Sequence, residues 1–191
     1  MIQAQDIQEL FGSQLSRIRN TKLRECVVKA WVLGCRCGGY DTVEQLTAMP
    51  FTLLTDPRGV SFVEHTIAVT EGAIGLAKAQ IEAYRTMPYA IDMDRLIAGG
   101  LLHDVGKLVE ISSDGCGGFV KSRKGKCMRH PISGTVIAAE AGLPDEVLNI
   151  IACHAKEGEG RPQVIETVII HLADFATFDP LAMKAKGVLI E

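Results

Sequence analysis

Apolar residues recur three and four positions apart along almost the whole chain, and the breaks between those runs carry helix caps. That pattern commits the backbone to amphipathic helices and leaves little room for sheet, because strands need a period of two. The segment from about 16 to 33 places Ile18, Leu23, Val27, Ala30 and Trp31 on one face and is expected to end near Gly34. Asp41 to Glu44 and Ser61 to Glu64 both have the capping-box spacing, and the second opens a long helix toward Met87-Pro88. On that helix His65, Val69, Gly72, Ala73 and Leu76 fall on one stripe. Asp94 can cap the next helix, which carries Leu96, Ile97, Leu101 and Leu102 and is expected to end near Gly106.

Residues 110–129 break the pattern, being rich in Gly, Ser, Lys and Arg. They read as a surface loop, with room for a small β-hairpin pairing Val109–Ser112 with Phe119–Ser122. Pro131 suits the first position of a helix beginning just after His130 and ending at Gly142. Pro144 opens another, with Val147, Ile150, Ile151 and His154 on one face, expected to end at Gly158 and Gly160. Pro162 starts a last helix through Val164, Val168, Leu172 and Phe175, closed by Asp179-Pro180. The expected fold is all-α, a single helical bundle. Residues 1–54 form an N-terminal helical segment packed on the core, 55–180 the main domain, and 181–191 a tail.

Composition narrows the function. A net charge of −3 and a pI near 6.0 give no positive field for a nucleic-acid polymer. Aromatics at 5% leave too few rings for a base-stacking platform. No run approaches the ~20 apolar residues of a membrane span. The N-terminus lacks a basic region followed by an apolar stretch, so a cytoplasmic location is expected. The six cysteines show no C-x-x-C pair and read as free thiols; Cys35 and Cys37 are too close together for ordinary structural zinc.

The histidines carry the chemistry. Four of the five, His65, His103, His130 and His154, fall on apolar stripes or at helix ends, and His171 lies three residues before Asp174. One histidine on an apolar face is usually a satisfied core residue. A whole set of them, with carboxylates alongside, is costly to bury without shared partners. Metal ions would supply those partners. Imidazole and carboxylate without thiolate suit Fe, Mn, Co, Ni or Zn rather than Ca or Mg.

At this point the chain resembles a known family. Leu101-Leu-His103-Asp104-Val-Gly-Lys107 is similar to the signature of the HD superfamily of metal-dependent phosphohydrolases. His65, His130-Pro131, His154 and Leu172-Ala173-Asp174 appear in that family's order. The resemblance covers roughly residues 55–180. It implies two divalent transition metals, Fe or Mn foremost. His65, His103, Asp104 and Asp174 would hold one, His130 and His154 the other, with Asp104 shared. Such a pair acidifies a bridging water into a nucleophile and holds phosphoryl oxygens. Lys107 would contact substrate oxygens; Lys126, Arg129 and Lys156 are further candidates for binding a small anionic substrate. Lys121, Arg123 and Lys124 extend the basic run beside the site. His171 is expected outside the ligand set, orienting a ligand carboxylate or packing with a satisfied hydrogen bond.

The segment from His154 to Pro162 is similar to that of the HD-GYP cyclic-dinucleotide phosphodiesterases, but Ala155 and Arg161 stand where those enzymes carry His and Tyr. Phosphomonoester or phosphodiester hydrolysis ranks first among the implied activities. An HD-type di-iron oxygenase is the alternative, and a non-catalytic scaffold the third. A homodimer is compatible with all three.

Overall fold

The computed structural model describes residues 1–156 and 161–190. Ten helices and one two-stranded hairpin make up the regular structure among them. Near the N-terminus α1 (Ala4–Leu15) and α2 (Thr21–Gly38) pack on each other, followed by the short α3 (Val43–Ala48). The centre is α4 (Phe62–Ala83), lying against both α5 (Met93–Leu102) and α10 (Ile165–Ala185). α8 (His130–Ala141) packs on α2 and on α9 (Asp145–Cys153). Between α5 and α8 run α6 (Lys107–Glu110), β1 (Ile111–Ser113), β2 (Phe119–Lys121) and α7 (Arg123–Cys127).

A single apolar core runs from Ile2 to Ala173. Trp31 sits within it at 0% exposure, its ring 4.7 Å from Phe11 and 5.3 Å from Phe62. Its indole N–H donates to the Leu101 carbonyl at 3.0 Å, which satisfies the one polar atom the ring carries. Gly99 and Gly100 let α5 lie deep among its neighbours. A Cβ on Gly99 would sit 2.5 Å from Ile150 Cδ1, and one on Gly100 2.8 Å from Thr70 Oγ1.

Several boundaries differ from those expected. α1 carried no helix assignment of its own. α2 passes through Gly34, because that glycine serves close packing: a Cβ there would meet Leu108 Cδ1 at 2.7 Å. The helix ends instead at Gly39, whose φ of 79° is the left-handed cap. The first capping box is Thr42 with Gln45, one residue later than expected, while the Ser61–Glu64 box stands as read. α4 stops at Ala83, and Gly72 and Leu76 lie on its exposed side. Asp92, not Asp94, caps α5. Asp94 accepts instead from the backbone of Arg19 and Asn20, tying α5 to the α1–α2 link.

The hairpin pairs Ile111 with Lys121 and Ser113 with Phe119, so β1 begins two residues later than expected. Within the expected loop, α7 is helical and α6 reaches in as far as Glu110. Gly142, at φ 92°, ends α8. α9 ends at Cys153; the expected stop at Gly158 and Gly160 falls outside the described residues. α10 begins at Ile165 and continues through Pro180 to Ala185, into the expected tail. Its buried face is Thr167, Ile169, Ile170 and Ala173, leaving Val168 and Leu172 exposed.

Candidate metal centre

Five parts of the bundle each deliver a ligand-type side chain to one point. His65 lies in the first turn of α4, His130 is the first residue of α8, His154 caps the C-terminus of α9, and Asp174 projects from α10. His103 and Asp104 come from the end of α5. Successive residues diverge by about 100° on a regular helix, but α5 stops at Leu102. Residues 103–106 form tight turns, with Val105 N–H donating to the Leu102 carbonyl and Lys107 N–H to that of Asp104. Both side chains therefore reach the same side.

Gly106 is not a left-handed cap, having φ −66°. Its hydrogen lets the turn touch α8, where a Cβ would overlap the His130 carbonyl oxygen and lie 2.6 Å from Gly134 N.

The side chains fall into two groups sharing Asp104: His65, His103, Asp104 and Asp174, and Asp104, His130 and His154. Asp104 divides its oxygens between them. Oδ2 is 3.3 Å from His65 Nε2 and 3.4 Å from His103 Nε2. Oδ1 is 3.2 Å from His130 Nε2 and 3.4 Å from His154 Nε2. Asp174 Oδ1 is 3.2 Å from His65 Nε2 and 4.0 Å from His103 Nε2. With ligand bonds of about 2.1 Å, neighbouring donors around one ion stand roughly 3.0–3.4 Å apart.

The outer ring nitrogens explain why the inner ones point this way. His103 Nδ1 lies 2.7 Å from the Gly100 carbonyl and His154 Nδ1 2.9 Å from that of Ile151. A carbonyl only accepts, so both Nδ1 atoms carry the proton and, in neutral rings, both Nε2 atoms offer a lone pair. His130 Nδ1 is 3.1 Å from the Glu110 carboxylate. His65 Nδ1 meets Thr177 Oγ1 at 3.2 Å; that hydroxyl spends its proton on the Asp174 carbonyl and so accepts from the ring.

Nε2 of His65, His103 and His154 and Oδ1 of Asp104 are buried without a hydrogen-bond partner, while Oδ2 of Asp104 is met by Lys107. Four orphaned polar atoms aimed at one another fit metal ions and little else. Burial lowers the His130 pKa, only partly offset by Asp104 and Glu110, which favours the neutral, ligating ring. Burial pushes Asp104 and Asp174 upward, but their neighbours win. Lys107 and then His103 hold Asp104 well below the carboxylate range, and the close approach of His65, then of His103, holds Asp174 at about 2.

The match to known sequences decides the family: the HD domain model covers residues 62–176. The chain belongs to the HD-domain family. Ribonuclease Y of Pseudothermotoga lettingae is 30% identical to this chain over 116 residues, which are 61% of this chain and 18% of the relative. Dihydroneopterin 2',3'-cyclic phosphate phosphodiesterase of Methanocaldococcus jannaschii is 31% identical over 122 residues, 60% of this chain and 45% of that one. Each match thus spans less than half of the relative's length. No solved structure matches the chain significantly.

A cavity of about 780 Å³ opens onto Asp104, His130 and Asp174 of the HD domain. Lys107, Arg129 and Lys156 line it, as does Lys121. Lys107 Nζ is 2.5 Å from Asp104 Oδ2. Lys126, expected at the substrate, is exposed on α7 and not among the lining residues. The reason is local: the buried Gly125 presses that helix against the Glu110 backbone, and Lys126 stands on the outside. His171 touches no ligand carboxylate. Its Nδ1 lies 2.5 Å from the His154 carbonyl, so it braces a ligand through the backbone.

Glu110 was absent from the candidates. Its Oε2 accepts from the His130 backbone N–H at 2.6 Å and faces the His130 ring, while its Oε1 pairs with Lys121 at 3.2 Å and Arg129 at 3.1 Å. Burial raises its pKa, but the hydrogen bonds and charge of His130 outweigh that and bring it to about 2. The available signal was a single charge inside the apolar run Leu108-Val109-Glu110-Ile111.

Proposed function

We propose that this HD domain is a metal-dependent phosphohydrolase that cleaves a small phosphodiester or phosphomonoester. The observation that carries the reading is the ring of inward-facing Nε2 atoms around the divided carboxylate of Asp104. The donor set fits two divalent transition metals, Fe or Mn foremost and Co, Ni or Zn next, with His65, His103, Asp104 and Asp174 on one and Asp104, His130 and His154 on the other. When bound, such a pair lowers the pKa of a water and neutralises charge on phosphoryl oxygens. The two relatives support the phosphate ester, being named as a ribonuclease and a cyclic phosphate phosphodiesterase.

The chain's own groups then have distinct tasks. Asp104, fully ionised, supplies the shared carboxylate. Glu110 and the backbone carbonyls fix the histidine rings in the ligating tautomer. Lys107, reaching from the cavity wall to Asp104, is placed to hold a non-bridging phosphoryl oxygen as charge develops there. In the net reaction water forms the new P–O bond, the ester P–O bond breaks, and the departing alkoxide leaves as the alcohol with a proton from that water.

The test is metal analysis of protein purified without added metal, followed by assay of bis(p-nitrophenyl) phosphate and p-nitrophenyl phosphate with Mn, Co, Ni, Fe and Zn. We expect hydrolysis in the loaded protein and loss of both metal and activity in Asp104→Ala. Two irons with a mixed-valence spectrum and no ester hydrolysis would replace this reading with the oxygenase one.

A further inference from the structure

The cavity is much larger than a phosphoryl group needs, and its walls are of two kinds. One kind is polar and belongs to the candidate metal centre: Asp104, His130, Asp174 and Lys107. The other is apolar, with Leu53 and Leu54 from the α3–α4 link, Phe175 and Phe178 from α10, and Val120 from β2. Three of these are presented to solvent: Leu54 is 77% exposed, Val120 47% and Leu53 42%. A volume of 780 Å³ falls in the roughly 300–1,000 Å³ range of sites that enclose a whole small organic molecule.

The lining also carries the cations Lys121, Arg129 and Lys156. Lys121 and Arg129 both pair with Glu110, and Lys107 pairs with Asp104. Phe51 is also committed, stacked on His65 at 4.3 Å and set edge-on to Phe178 at 6.4 Å. Phe175 packs on His171, their rings 4.5 Å apart, so the half-buried ring of Phe178 and the exposed Leu54 and Val120 are the surfaces left to a ligand.

We propose that the organic group of the substrate is a flat, largely apolar ring system, seated between Phe178 and Leu54 on one side and Val120 on the other, with its phosphoryl group at the metal end. The proposal rests on the phosphoester reading above and narrows it. It makes Leu54 and Val120 specificity-determining residues that touch the ring and not the reacting atoms.

Phosphonates, whose P–C bond does not hydrolyse, separate the two claims. Methylphosphonate and 1-naphthylphosphonate would be titrated by calorimetry into the Mn-loaded full chain. Burying several ring carbons should make the naphthyl compound bind at least about tenfold tighter. Leu54→Ser and Val120→Ser, both at exposed positions where folding is little affected, should each shrink that ratio, and together bring it to about threefold or less. Equal affinity for the two phosphonates, or an unchanged ratio in the double variant, overturns the ring proposal alone. Failure of both to bind overturns the phosphoester reading and the ring proposal with it. A short oligoribonucleotide that outcompetes naphthylphosphonate would replace the ring with a polymer.

Discussion

Glu110 carries the largest residue-scale consequence. It is the carboxylate behind His130, and such partners typically change metal affinity by about 10–100-fold. Glu110→Gln keeps the shape and removes the charge. A competition titration with a chelating dye should show weakened affinity at the His130 and His154 position by that factor, with the His65, His103 and Asp174 position little changed. Two unaltered affinities would remove Glu110 from the site. A second expectation concerns thiol chemistry. Burial pushes Cys35 up to about 12, whereas Cys37, Cys116 and Cys127 are exposed. At pH 8 iodoacetamide should alkylate those three and spare Cys35 in the folded protein, as peptide mass mapping would reveal; labelling of Cys35 at the same rate would contradict its burial.

At the scale of elements, the tightest constraint is the turn after α5. Gly106→Ala adds a methyl group where backbone already sits, on α8 beside His130. Because φ is −66°, the cost is spatial and not conformational. Overpacking of this kind costs about 1–3 kcal/mol, to be read from denaturant unfolding, and should weaken metal binding because Asp104 and His130 move apart. Unchanged stability and metal content would show that the contact is looser than described.

This turn also marks the limit of what sequence discloses. The spacing of His103, Asp104 and Gly106 was visible, and so was a break in the helix. That the glycine serves an approach to α8, 24 residues on, was not, since sequence spacing says nothing of tertiary contact. Caps that act locally, such as Ser61 with Glu64 and Gly142, could be read directly. Pro180 misled because a proline usually stops a helix, yet α10 runs past it. Val168 and Leu172 misled because apolar spacing marks a face without saying what covers it. Glu110 was hidden for the same reason as the turn: its partner His130 lies 20 residues away.

For the molecule as a whole, four orphaned buried atoms are a standing cost, and ions that bind only the folded state offset it. Stabilisation grows with concentration, reaching about 2.7 kcal/mol at a hundred times Kd. A chelator should therefore lower the melting temperature, and Mn should restore it; a melting curve indifferent to both would refute a resident metal. The divided carboxylate of Asp104 has an uneven consequence. One group holds three side chains of its own besides Asp104, the other only two. On the proposed reading the richer half can stand without the poorer, and the poorer cannot stand without the shared aspartate. When metal is scarce, occupancy should rise in sequence, so that a half-loaded population precedes the fully loaded one. Activity that needs both ions would then follow supply with a threshold, making the protein a gauge of its own nutrient.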